Sequence, residues 1–191
     1  MPLREACGVL GIASKSPVLN LMTVGLRALQ HRGQESAGIT IHDREHLTQK
    51  GMGLVTEVLN DFGDEFTKGL TGIGHVRYST AGSSSLKNAQ PMTVSSVSGE
   101  LSIGHNGNIA NQDALRQEKE NAGWAFMSDT DSEIIVRMIA NNLSKKHSII
   151  KSIQLTMENL VGSYSIVLLH QDELYAFRDP LGIKPLCIGE I

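Results

Sequence analysis

The sequence predicts an α+β layered fold, with sheets sandwiched by helices, in a single domain. Three observations carry this. Candidate strands come in pairs, helical periodicity sits in blocks grouped between them, and the regular strand–helix alternation of a doubly wound parallel sheet is missing. No internal repeat, low-complexity tract or linker divides the chain, and Ser83-Ser84-Ser85 reads as a loop.

The elements follow in order. Cys7–Ala13 is a short apolar stretch with two glycines and reads as a strand. Leu19, Met22, Leu26 and Leu29 recur at helical spacing, which predicts a helix over Leu19–Gln30. Ala37–His42 and Leu47–Lys50 read as strands joined by the charged turn Asp43-Arg44-Glu45. Gly72–Arg77 is a further strand, followed by a loop over Tyr78–Gln90. Leu101–His105 is a strand that runs into Asn106-Gly107-Asn108. Asn111–Asn121 reads as a polar helix capped by Asn111. Asp131 opens an amphipathic helix carrying Ile134, Ile135, Met138 and Ile139. Ile149, Ile150, Ile153, Met157 and Leu160 mark another. Ser163–His170 and Leu174–Arg178 form a hairpin around Gln171-Asp172, and Leu186–Ile191 reads as a last strand.

The composition of the 191 residues, 40% apolar and 19% charged, supports a packed core and argues against a disordered chain. A net charge of −3 offers no basic footprint for nucleic acid. The longest apolar runs, such as Ile166–Leu169, are too short to span a membrane, and Met1–Ala6 has no apolar core of a signal peptide. The expected address is therefore the cytoplasm. Two cysteines make no disulfide framework, and the seven histidines are scattered, so no metal site is expected. Cys187 is expected to be buried and inert.

Four local features carry candidate chemistry. Cys7 alone is an ordinary small residue of a first strand. It becomes a nucleophile if Met1–Ala6 is removed, because its own α-amine can then take the thiol proton at neutral pH. Asn106 and Gly107 are either a plain turn or an oxyanion hole made of one side-chain and one main-chain amide. Arg77, at the end of an apolar strand, is either an ion-paired residue or a clamp for a carboxylate. Asp131 is either a helix-start acid or the partner of an ammonium group. An Arg and an Asp facing one pocket suit an α-amino acid. His31-Arg32-Gly33, after the first helix, either ends that helix in solvent or lines the same pocket.

These residues fall within Cys7–Ile12, Leu29–Ile39 (LQHRGQESAGI), Gly53–Val58, Gly74–Ser85 (GHVRYSTAGSSS), Ala89–Pro91, Gly104–Asn111 (GHNGNIAN), Ser128–Glu133 (SDTDSE) and Arg178–Leu186 (RDPLGIKPL). In that order and spacing they resemble the class II glutamine amidotransferase family of N-terminal nucleophile hydrolases. Within it they resemble the glutaminase half of the amidophosphoribosyltransferases, which open purine biosynthesis. Gln34, Val76, Tyr78 and Ala81-Gly82-Ser83 carry that narrower likeness.

The resemblance implies a four-layer αββα sandwich over residues 7–191, possessing or lacking its last strands, behind a propeptide over residues 1–6. It implies that Cys7 attacks the side-chain amide of glutamine to form a glutamyl thioester, with its α-amine shuttling protons. Asn106 and Gly107 would form the oxyanion hole. Arg32, Gly33, Arg77, Thr80 and Asp131 would bind substrate, and Tyr78, Ser79, Ala81 and Gly82 would belong to a gating loop. Ammonia would pass to a phosphoribosyltransferase domain absent from these residues. Magnesium and any iron–sulfur cluster would belong to that domain, with no cofactor in this chain and a homo-oligomer as the full-length assembly. Two other functions fit the residues: a module that binds glutamine without turning it over, and a nucleophile hydrolase for another amide. The Arg77–Asp131 pairing disfavours the second.

Overall fold

The computed structural model describes residues 7–78 and 84–190. The first sheet has the order β1-β4-β2-β3, formed by β1 (Gly8–Ala13), β2 (Ser36–Asp43), β3 (Glu45–Met52) and β4 (Thr71–Arg77), all antiparallel. The second has the order β5-β6-β7-β8, formed by β5 (Met92–Ser96), β6 (Gly99–Ile109), β7 (Gly162–His170) and β8 (Glu173–Arg178), also antiparallel. The helices are α1 (Leu19–Ala28), the single turn α2 (Val55–Val58), α3 (Gln112–Asn121), α4 (Asp131–Ser144) and α5 (Ile149–Met157).

Three apolar clusters define the layers. Met22 and Leu26 of α1 and Val55 of α2 pack with Ala37, Ile39, Ile41 and Val76 on one face of the first sheet. Ile73, Val167 and Leu169, with Val9 and Leu174 against them, fill the space between the sheets. Leu101, Ile103, Ile109, Tyr164, Ile166 and Leu168 meet Ile134, Ile135, Met138 and Ile139 of α4 and Ile153 of α5 on the outer face of the second sheet. The order is helix, sheet, sheet, helix. Period-two alternation sends one side of each strand to the helices and the other to the opposite sheet.

Several sequence expectations need correction. Asn106-Gly107-Asn108 is not a turn: β6 runs through to Ile109, paired residue by residue with β7. A neighbouring strand supplies more pairing than a turn would, and it overrides the local Asn-Gly preference. Asn111 precedes α3 but makes no side-chain cap; its amide bridges Asn159 C=O (2.9 Å) and Val161 N–H (3.0 Å) instead. The Tyr78–Gln90 loop contains a 3-10 turn at Leu86–Asn88, and β5 was not anticipated. Leu186–Glu190 forms no strand, because no described strand lies beside it to pair with, and Cys187 is exposed rather than buried.

The sheets are also joined by polar contacts. His46 of β3 meets Ser102 Oγ of β6 through Nδ1 (2.8 Å) and Gln171 C=O of the β7–β8 turn through Nε2 (3.0 Å). His75 of β4, fully buried, donates from Nε2 to His105 C=O of β6 at 3.0 Å. Burial pulls the His75 imidazole down from 6.5 to about 3, so it is neutral in the folded protein.

This has a consequence for stability. Between pH 6.5 and about 3 the unfolded chain binds a proton that folded His75 does not. Its contribution is therefore fully present above pH 6.5 and declines as pH falls, by about 1.4 kcal/mol per pH unit. Urea unfolding of His75→Gln, which retains a donor for His105 C=O, is expected to lose stability less steeply than wild type between roughly pH 6 and 4.5. Parallel slopes would contradict a neutral buried imidazole.

Candidate active site

The cleft between the ends of the two sheets is lined by Cys7, Arg77, Tyr78, Gln90, His105, Gly107, Thr130, Asp131 and Ser132. Its free volume is about 30 Å³, space for one water, so an amino acid enters only if a wall moves. Tyr78, 46% exposed, is the lining residue most open to solvent.

β6 builds one wall. Its eleven residues outrun the five of β5, whose pairing begins at Met92↔Ile103. Among the described residues, β7 is the one strand that pairs with β6 beyond Ile103, and amides alternate between the two edges of a strand. The outward amides at His105 and Ile109 are taken by side chains: His105 N–H donates to Gln90 Oε1 at 2.7 Å and Ile109 N–H to Asp131 Oδ2 at 3.0 Å. Gly107 lies between them with the same parity. Its N–H therefore faces the cleft, where an incoming acceptor can take it.

Asp131 is the first residue of α4 and is 9% exposed. Its Oδ1 lies 3.3 Å from His105 Nδ1, which also lies 3.1 Å from Ser132 Oγ. Burial alone would push its carboxyl pKa up. The His105 imidazole and the Ile109 amide outweigh that and hold it below the usual carboxylate value. Asp131 thus favours its carboxylate form.

Cys7 immediately precedes β1, in the left-handed region at φ 65°. Cys7 N–H donates to Arg32 C=O at 3.1 Å, and Arg32 Nε donates to Cys7 C=O at 2.8 Å. Its Sγ lies 3.5 Å from both the N–H and the C=O of Tyr78. Burial pushes the thiol pKa up, so the sulfur needs a base nearby to react. Arg77, 4% exposed, is ion-paired through Nη1 to Glu35 Oε1. Glu35 N–H also donates to Arg77 C=O at 3.0 Å. Gly33 packs against this point: a Cβ there would lie 2.6–2.7 Å from the Arg77 backbone.

A family model described as a glutamine amidotransferase domain matches residues 75–191. The chain belongs to this glutamine amidotransferase family. It is 47% identical to an amidophosphoribosyltransferase of Archaeoglobus fulgidus, over 97% of this chain and 41% of that relative. It is 48% identical to that of Methanothermobacter thermautotrophicus, over 98% of this chain and 40% of the relative. The solved glutamine phosphoribosylpyrophosphate amidotransferase from B. subtilis, complexed with ADP and GMP, superposes with a TM-score of 0.86 at 35% identity. That match covers 96% of this chain and 39% of the other. The chain thus spans about 40% of the length of the curated relatives it matches.

In this glutamine amidotransferase domain, Cys7, Arg77, Tyr78, Gly107 and Asp131 meet in one cleft. Asn106 sits beside Gly107 on β6 with Oδ1 buried and unpartnered, but it is not among the lining residues. Arg32 and Gly33 do not line the cleft either; they hold Cys7 and Arg77 in place. Thr80, Ser79, Ala81, Gly82 and residues 1–6 lie outside the described residues.

Sequence reasoning missed Glu35, Gln90, His105, Thr130 and Ser132. Each lies inside a quoted motif, yet a polar residue beside a named one gives no sign of which way it points. It also passed over the four-residue spacing of His42 and His46, whose rings lie edge to face with centroids 5.6 Å apart. Among the described residues no cluster of three or more His, Cys, Asp or Glu could hold a metal ion, and no helix is long and apolar enough to cross a membrane. A larger groove of about 290 Å³ runs between Val94, Ser95, Trp124, Arg137 and Asn141 and holds no cysteine or histidine.

Gly33 adopts an extended φ of −160°, so only space forbids a side chain there. Gly33→Ala is expected to cost about 1–3 kcal/mol in urea unfolding by forcing the end of β4 away. An unchanged midpoint would show that the Gly33–Arg77 contact yields freely.

Proposed function

We propose that this chain hydrolyses the side-chain amide of glutamine, as the glutaminase part of an amidophosphoribosyltransferase, and delivers ammonia to a phosphoribosyltransferase domain. The observation that carries the reading is the placement of Cys7, the outward Gly107 amide and the Asp131 carboxylate around one cleft. A nucleophile, an oxyanion donor and an ammonium partner are what an amino-acid amide requires.

The chemistry follows from these positions. With the peptide bond before Cys7 cut, the Cys7 nitrogen becomes an amine beside a thiol whose pKa burial has raised. The amine accepts the thiol proton, and the sulfur attacks the amide carbon. Electron density moves onto the amide oxygen, where Gly107 N–H stabilises it with the side chain of Asn106. Collapse expels ammonia, carrying the proton returned by the amine, and leaves a glutamyl thioester. Water then attacks the thioester carbon, releasing glutamate and restoring the thiol. Asp131 holds the α-ammonium and Arg77 the α-carboxylate, with Thr80 at that end. Glu35 neutralises part of Arg77, so the head-group pocket suits a zwitterion rather than a net anion. Joining ammonia to phosphoribosyl pyrophosphate would fall to the partner domain, in a full-length homo-oligomer.

Cys7→Ala is expected to abolish glutamate release from glutamine and to leave the urea midpoint within about 1 kcal/mol of wild type. Glutamate release at the wild-type rate would overturn the proposal.

A further inference from the structure

Gln90 is held from both sides. Lys50 of β3 donates from Nζ to Ala89 C=O at 2.7 Å and to Pro91 C=O at 3.1 Å. The Gln90 carbonyl lies so close to β2 that a Cβ on Gly38 would stand 2.4 Å from it. The side chain is fixed as well, because Oε1 accepts His105 N–H. A main-chain amide can only donate, so the atom facing His105 is the oxygen and the NH2 end points elsewhere. That NH2 makes no hydrogen bond with any described residue, although Gln90 is 5% exposed and lines the cleft with Cys7 and Gly107. It is not sealed from solvent, so a ligand that enters the cleft can offer it an acceptor in place of water.

The open edge of β6 sets the order of the groups. Asp131 marks Ile109, Gly107 comes next, and Gln90 marks His105. Alternate residues of a strand are about 6.7 Å apart. If the ammonium end of glutamine lies at Asp131 and its side-chain oxygen at Gly107, Gln90 stands beyond the oxygen, away from the ammonium.

We propose that Gln90 is a further catalytic residue, whose Nε2–H donates to the side-chain oxygen of glutamine from the His105 side of Gly107. As the Cys7 sulfur bonds to the amide carbon, the carbonyl π pair moves onto that oxygen, and the Gln90 donor strengthens as charge develops. The pair returns when the carbon–nitrogen bond breaks and ammonia leaves with the proton from the Cys7 amine. This assignment rests on the glutaminase reading above.

The test is steady-state glutamine hydrolysis by the full chain and by Gln90→Glu across pH. The substitution keeps an oxygen for His105 N–H but turns the donor into a carboxylate acceptor. At about pH 8, kcat is expected to fall roughly tenfold to a hundredfold, as for loss of an oxyanion donor. As pH is lowered toward about 5, the ratio of variant to wild-type kcat is expected to climb, because a protonated carboxyl donates again. A kcat equal to wild type throughout would overturn the proposal. So would a loss that stays constant with pH, since a purely structural role predicts that. Where Gln90→Glu does not fold, Gln90→Met is expected to lower kcat more than it raises KM, and an unchanged kcat overturns the assignment. If wild type releases no glutamate, or Cys7→Ala still does, the glutaminase reading itself fails and takes this assignment with it.

Discussion

The site depends on a length mismatch between two neighbouring strands. β6 continues past the point where β5 stops, and so carries a run of backbone amides with, among the described residues, a paired strand on one side only. Amides in so enclosed a place must find partners. Gln90 and Asp131 supply them at His105 and Ile109, and the amide between is directed at the cleft. The side chains that complete the strand are therefore also the ones that border the reactive position.

The rest of the molecule holds this edge opposite Cys7. His75 ties the first sheet to His105 C=O, next to the Gln90 anchor. Arg32 clamps both main-chain ends of Cys7, and Gly33 lets that segment lie directly against the end of β4. Charge is balanced locally. Arg77 is paired with Glu35, Asp131 is stabilised by His105 and a main-chain amide, and the Cys7 thiol is kept protonated by burial. In such a site a proton acceptor attached to the nucleophile itself is an economical arrangement, because no further buried charge is needed.

Much of the layering was legible because it is carried by periodicity. Met22 and Leu26 on α1, and Ile134, Ile135, Met138 and Ile139 on α4, occupy the positions their spacing predicts. The β2–β3 and β7–β8 hairpins are likewise marked by polar turns between apolar strands. β5 was not legible, because only five residues alternate in burial and a proline precedes them. The last expected strand failed for the opposite reason: Leu186 and Ile188 are apolar, but pairing needs a neighbour that a local pattern does not reveal. At the site, Cys7, Arg77, Gly107 and Asp131 were legible as candidates, and the fold brings them to one cleft. Gln90, His105 and Glu35 were not, because their importance lies in the hydrogen bonds they make across long sequence separations: Gln90 to a strand amide, His105 to Asp131, and Glu35 to Arg77.

The central claim is that Cys7 acts as nucleophile with its own amine as base, across from the Gly107 amide. Intact-mass measurement on fractions separated by their glutamine-hydrolysing activity tests this most directly. The account predicts that the active fraction begins at Cys7, six residues shorter than the sequence. Full activity in a fraction that retains Met1 would contradict it, because the Cys7 nitrogen would then be an amide and unable to accept the thiol proton.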